Sequence, residues 1–139
     1  MKRKSFTLLV VLLLLTLAGT AWAEGQIIVT PYYTYVSSIF ADLAISGNTA
    51  TCSGYAKGSS TETRTTLTVT LQRQAVGSST WTTANSWSAT GTGRDLVQIE
   101  RTKSVSSGYS YRVKVSCKIT NAQGTQLENP IKYSDIINK

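Results

Sequence analysis

The run Tyr109-Ser110-Tyr111-Arg112-Val113-Lys114-Val115-Ser116-Cys117-Lys118-Ile119 alternates without a break. Tyr109, Tyr111, Val113, Val115, Cys117 and Ile119 fall on one side, and Ser110, Arg112, Lys114, Ser116 and Lys118 on the other. Successive side chains of a strand point to opposite faces, so a period of two with one apolar side marks a strand laid over a core. A helix would scatter the same apolar residues around its whole circumference.

The same period recurs toward the N-terminus. Ile39, Ala41, Leu43 and Ile45 alternate with small or polar residues, as do Ala50, Cys52, Gly54 and Ala56. Leu67, Val69 and Leu71 are set against Thr66, Thr68 and Thr70, and Val97 with Ile99 makes a shorter run. Leu127, Ile131 and Tyr133 suggest a last strand, which Pro130 weakens in its middle and assigns to a sheet edge. Between the runs lie Gly47-Asn48, Lys57-Gly58-Ser59-Ser60, Gly77-Ser78-Ser79, Gly91-Thr92-Gly93, Ser106-Ser107-Gly108 and Asn121-Ala122-Gln123-Gly124. These are residues that take positive φ or bond their own backbone in turns. No stretch beyond the N-terminal segment keeps the spacing of an amphipathic helix. The expectation is an all-β domain, an antiparallel sandwich of about seven strands.

The N-terminus reads differently. Lys2, Arg3 and Lys4 precede the apolar run from Phe6 to Leu17, which leads to Ala21-Trp22-Ala23. A basic start, an apolar stretch of about 12 residues and a small-x-small site are the marks of a cleaved secretory signal, and the stretch falls short of the roughly 20 residues that span a bilayer. The expected organisation is a signal peptide at 1–23, an N-terminal extension or edge strand at 24–37 and the sandwich at 38–139. The product is then secreted, with no stable membrane anchor after cleavage. Three of the 14 basic residues leave with the signal, so 11 remain against 7 Asp and Glu, a net of +4. That balance suits anionic surfaces and solubility alike. Nucleic acid is a poor partner, since the charges are dispersed and no binding motif appears.

The composition also narrows the chemistry. The chain of 139 residues has no His, which removes the Ser-His and Cys-His nucleophile pairs and every His-ligated metal site. Glu24, Asp42, Glu62, Asp95, Glu100, Glu128 and Asp135 sit in no recognisable motif for paired-carboxylate hydrolysis. There is no Ser-x-x-Lys, Gly-x-Ser-x-Gly or phosphate-binding loop, and no calcium or zinc spacing. The reading is of a protein that is not an enzyme, with no catalytic residue, no metal and no cofactor.

Cys52 and Cys117, the two cysteines, are each in phase with the apolar side of their strands. In an exported protein with no third thiol they are expected to face one another and to pair. The bridge would close about 65 residues and contribute roughly 4 kcal/mol in the chain-entropy account. A first-half Cys on an inward position, and the late strand with its second Cys, resemble the B and F strands of an immunoglobulin-like or fibronectin type III-like sandwich. Tyr111 with Val113 and Val115 resembles the Tyr-x-Val-x-Val pattern of that late strand, and the resemblance implies a structural tyrosine corner at Tyr111. The chain departs from true immunoglobulin domains in two places. Val69 stands about where the core Trp belongs, and Tyr111 precedes Cys117 by six residues rather than two. A second resemblance, to small uncharacterised secreted proteins of Gram-positive bacteria, rests on Pro31 to Ile39, Ala50 to Gly54, Leu67 to Gln72, Trp87 to Gly91 and Ser107 to Val115. It implies no catalytic residue.

Two aromatic groups are candidates for ligand binding. Trp81, Thr83, Asn85 and Trp87 share one face if their segment is a continuous strand, and aromatic platforms stack on sugar rings. Tyr32, Tyr33 and Tyr35 beside Pro31 offer a second aromatic edge. The expected role is binding or cell-surface association without chemistry, with a carbohydrate- or cell-wall-binding module and a small cationic bacteriocin-like toxin as alternatives. The sequence names no partner; a cell-wall polymer or glycan is the candidate.

Overall fold

The computed structural model describes residues Tyr32–Lys139. The expected signal peptide, its cleavage site and the first part of the N-terminal extension lie outside these residues. Nine strands follow in order: β1 (Val36–Ser46), β2 (Thr49–Gly58), β3 (Arg64–Ala75), β4 (Thr82–Thr92), β5 (Leu96–Ser104), β6 (Tyr109–Thr120), β7 (Gln126–Glu128), β8 (Ile131–Tyr133) and β9 (Ile137–Asn138). They form two antiparallel sheets. One has the order β1-β2-β5, and the other the order β4-β3-β6, with β7, β8 and β9 in turn along the remaining edge of β6. This is an immunoglobulin-like sandwich in which β4 lies beside β3, whereas antibody constant domains place the fourth strand beside the fifth.

The alternation read in the sequence becomes the core. Leu67, Val69 and Leu71 of β3 and Val113, Val115, Cys117 and Ile119 of β6 are fully buried, and Ala50, Cys52 and Ala56 of β2 close over them from the other sheet. Their polar neighbours line the outer face. β1 and β2 are joined by Gly47 and Asn48 alone, with Ser46 opposite Thr49. Gly47 has φ 56° and Asn48 has no positive φ, the pattern of a type II′ hairpin whose twist matches its strands.

The sheets approach most closely at Gly54. A Cβ there would lie 2.6 Å from Val115 Cγ2 and 2.7 Å from Val69 Cγ2, so only Gly lets the two valines through. A Cβ at Gly58 would in turn lie 3.4 Å from Thr65 Oγ1. β3 and β6 pair with Val69 opposite Val115 and Thr65 opposite Ile119. Moving from Gly54 to Gly58 along β2 therefore moves from Val115 to Ile119 along β6, and the two strands run in the same direction across the core.

That direction overturns the expected disulfide. Cys52 lies two positions before Gly54 and Cys117 two positions after Val115, so Cys52 is level with Val113 and Cys117 with Ala56. The thiols are offset by four residues, about 13 Å along the strands, where a bridge needs Cα atoms within about 7 Å. Both are free and buried. Their phase was right for the apolar side, but phase fixes only the face a residue occupies and leaves its height along the strand open.

The last strand is one expected strand delivered in three pieces. β7 pairs with β6 near Ile119, β8 opposite Lys114 to Ser116, and β9 opposite Ser110 and Tyr111. Pro130 has no N–H to give a ladder, yet its carbonyl accepts from the Cys117 N–H at 3.0 Å. Between β8 and β9, Ser134 replaces strand pairing: its Oγ accepts from the Val113 N–H at 2.8 Å and its own N–H donates to the Val113 carbonyl at 2.9 Å.

Candidate functional site

β4 carries an irregularity that decides where the tryptophans go. Leu71 pairs with Asn85 but the next residue, Gln72, pairs with Thr83, so Ala84 is an extra residue in β4. A bulge of this kind reverses the phase of the strand beyond it. Trp87, opposite the buried Val69, turns inward and packs half-buried against the core. Trp81, on the far side of the bulge, falls in phase with Thr83 and Gln72 on the outer face. The segment is therefore not a continuous strand, the condition for a shared platform fails, and the two indoles stand on opposite faces.

Trp81 has a different companion. The Arg112 guanidinium lies 4.2 Å from the centre of the Trp81 ring and 4.3 Å from the centre of the Tyr133 ring. Its Nε donates to Gln72 Oε1 at 2.9 Å. β6 supplies Arg112, β3 supplies Gln72 directly opposite it, β8 supplies Tyr133 opposite Lys114, and the loop entering β4 supplies Trp81. Two rings thus pack on the cation and its Nε is held by an amide, while no described residue accepts from its two terminal amino groups.

The three long strands around this stack carry charges of one sign. β3, β4 and β6 contain no Asp or Glu. The outward residues of β6 include Arg112, Lys114 and Lys118, and beside them Thr68 and Thr70 of β3 meet Ser88 and Ser86 of β4 in hydroxyl pairs at 3.0 Å each. Glu128, at the margin in β7, is engaged elsewhere, its two oxygens accepting from the Thr34 and Tyr35 N–H groups at 2.7 and 3.0 Å. The row of cations is legible in the sequence as the polar side of the β6 strand, and the threonines as the polar side of β3. The pairing of Arg112 with Trp81 and Tyr133 is not, because that depends on the bulge in β4 and the placing of β8.

The other named residues take different places. Tyr33 and Tyr35 pack half-buried against the core, leaving Tyr32, 93% exposed, as the open member of the N-terminal trio. Tyr111, 2% exposed, accepts from the Ser106 N–H at 3.0 Å and donates to the Ser106 carbonyl at 2.9 Å, which ties the β5–β6 corner down. The outer face of the smaller sheet carries Phe40 stacked on Tyr55, ring centres 5.1 Å apart, with Asp42 and Glu100 on either side of Ser53. The Ser53 hydroxyl donates to Glu100 at 3.3 Å. Both carboxylates are exposed. Among the described residues no three His, Cys, Asp or Glu side chains converge to hold a metal ion.

No family model matches the sequence, and no curated protein matches it. Among solved structures, the sporulation control protein Spo0M of Bacillus subtilis is similar at 11% identity and a TM-score of 0.38, over 74% of this chain and 50% of that one. The chain thus spans half the length of that protein, and the likeness is too distant to carry an argument.

Proposed function

We propose that this chain is a secreted, non-catalytic binding protein that associates with cell-surface polymer through the outer face of its larger sheet. The observation that carries this reading is the stack of Trp81, Arg112 and Tyr133 at one end of a face built from three strands without a carboxylate. Cations on such a face attract polyanions, and ordered hydroxyls suit the hydroxyls of a glycan. Aromatic rings with a polar edge are the residues that combine apolar contact with hydrogen bonding at a wet surface. The export signal read at 1–23, and the resemblance to small secreted proteins of Gram-positive bacteria, agree with a product that works outside the cell. A bacteriocin-like toxin would share the charge and the export, but nothing in the ordered hydroxyl rows favours it.

The test is retention of the purified protein on isolated cell walls across a salt series. Wild type is expected to be retained at low salt and released progressively as salt rises, while the triple variant Arg112→Gln, Lys114→Gln, Lys118→Gln passes through at every salt concentration. Equal retention of the two proteins, or none by wild type, would remove this face from the function.

A further inference from the structure

We infer that Arg112 is a carboxylate-recognising fork, and that the polymer held by this face is an acidic glycan bearing uronic acid groups. The inference rests on the reading of the face as a polymer-binding surface and names the chemistry it selects. An exposed arginine ordinarily samples many rotamers and loses them on binding. Arg112 is restrained already: the Trp81 and Tyr133 rings pack on its guanidinium at 4.2 and 4.3 Å, and Gln72 holds Nε. The two terminal amino groups remain as a fixed fork, the arrangement that meets two oxygens at once in parallel N–H···O bonds.

The two rings also choose the shape of the anion. A carboxylate is planar and continues the guanidinium plane. A tetrahedral phosphate or sulfate bonded through two oxygens carries its other substituents out of that plane, toward ring faces that are themselves electron-rich. Aromatic carbon packed on the cation at these two distances therefore favours the planar anion. Lys114, one step along β6 on the same face and paired with Tyr133, supplies a second positive charge for the next acidic group. The Thr and Ser pairs of β3 and β4 lie beside it for sugar hydroxyls.

The measurement is the affinity of the purified full chain for three soluble polymers: a polyuronate, the same polymer with its carboxyls methyl-esterified, and a phosphodiester-linked polyol. Wild type should bind the polyuronate at least about tenfold more tightly than either of the others. Arg112→Lys keeps the charge and loses the fork, and is expected to abolish that preference while retaining salt-sensitive adherence to all anionic polymers. Lys118→Gln should weaken binding and leave the preference intact. If Arg112→Lys fails to fold, the guanidinium proton resonances of Arg112 in the unsubstituted protein give the answer: they should shift and sharpen on addition of polyuronate and stay in place with the esterified polymer. Equal affinity for the acid and its ester, a stronger response to the phosphodiester, or an unchanged preference in Arg112→Lys would overturn the fork while leaving polymer association standing. Absence of wild-type binding to all three polymers, together with normal retention on walls, would overturn it as well. Absence of both would remove the face from function altogether.

Discussion

Cys52 and Val113 are level across the core, and Val113 follows Tyr111 by two residues, the interval at which antibody domains carry their second Cys. Replacing Val113 by Cys is therefore expected to create a bridge to Cys52 under mild oxidation. Unreduced intact mass should fall by two protons, with peptide mapping joining residues 52 and 113 and leaving Cys117 free. The unsubstituted protein should show neither change. The native thiols also leave a signature in pH. Burial pushes Cys52 up to about 11, and burial followed by the Glu128 carboxylate does the same for Cys117. An unfolded chain loses thiol protons near pH 8.5, so through the window from about 9 to 11 the unfolded state binds fewer protons than the folded one and stability falls as pH rises. Below that window the contribution is complete. Urea denaturation at about pH 8 and pH 10.5 should show a steeper loss for wild type than for the Cys52→Ala, Cys117→Ala variant.

At the scale of elements, the bulge at Ala84 predicts that two residues of one type, six apart, behave differently. Trp87→Ala opens space against Val69 in a half-buried position and should cost about 2 kcal/mol, below the roughly 3–5 of a fully buried Trp. Trp81→Ala should cost well under that and reduce polymer retention. Thermal melts and wall retention measured on both variants check the contrast, and equal destabilisation would mean that the bulge does not divide them. The strands themselves were legible because alternation is local: Leu67 to Leu71 and Tyr109 to Ile119 declare which side is buried with no knowledge of their neighbours. Three features were not legible. The height of Cys52 relative to Cys117 depends on strand direction across the core, which phase does not record. The face of Trp81 depends on one extra residue in β4 whose only mark is a shift in its pairing with β3. Arg112 looked like an ordinary solvated cation until β8 brought Tyr133 beside it.

For the whole molecule, the number of strands differs from the expected seven through segmentation of the last one. The sandwich still has seven strand positions, with β7, β8 and β9 sharing the seventh. Pro130 announced the first break, since a ring nitrogen cannot donate to a ladder. The second break, filled by Ser134, has no such marker. This segmentation bears on solubility. The flank of β6 is the margin of a long apolar-cored strand, and such a margin, left open, invites a neighbouring chain to add itself and begin a fibril. Here its donors and acceptors are occupied by pieces no longer than three residues, joined by a proline carbonyl and a serine side chain. The outermost backbone changes course every few residues. An incoming strand finds no straight run to zip along, which disfavours chain-to-chain pairing through this side.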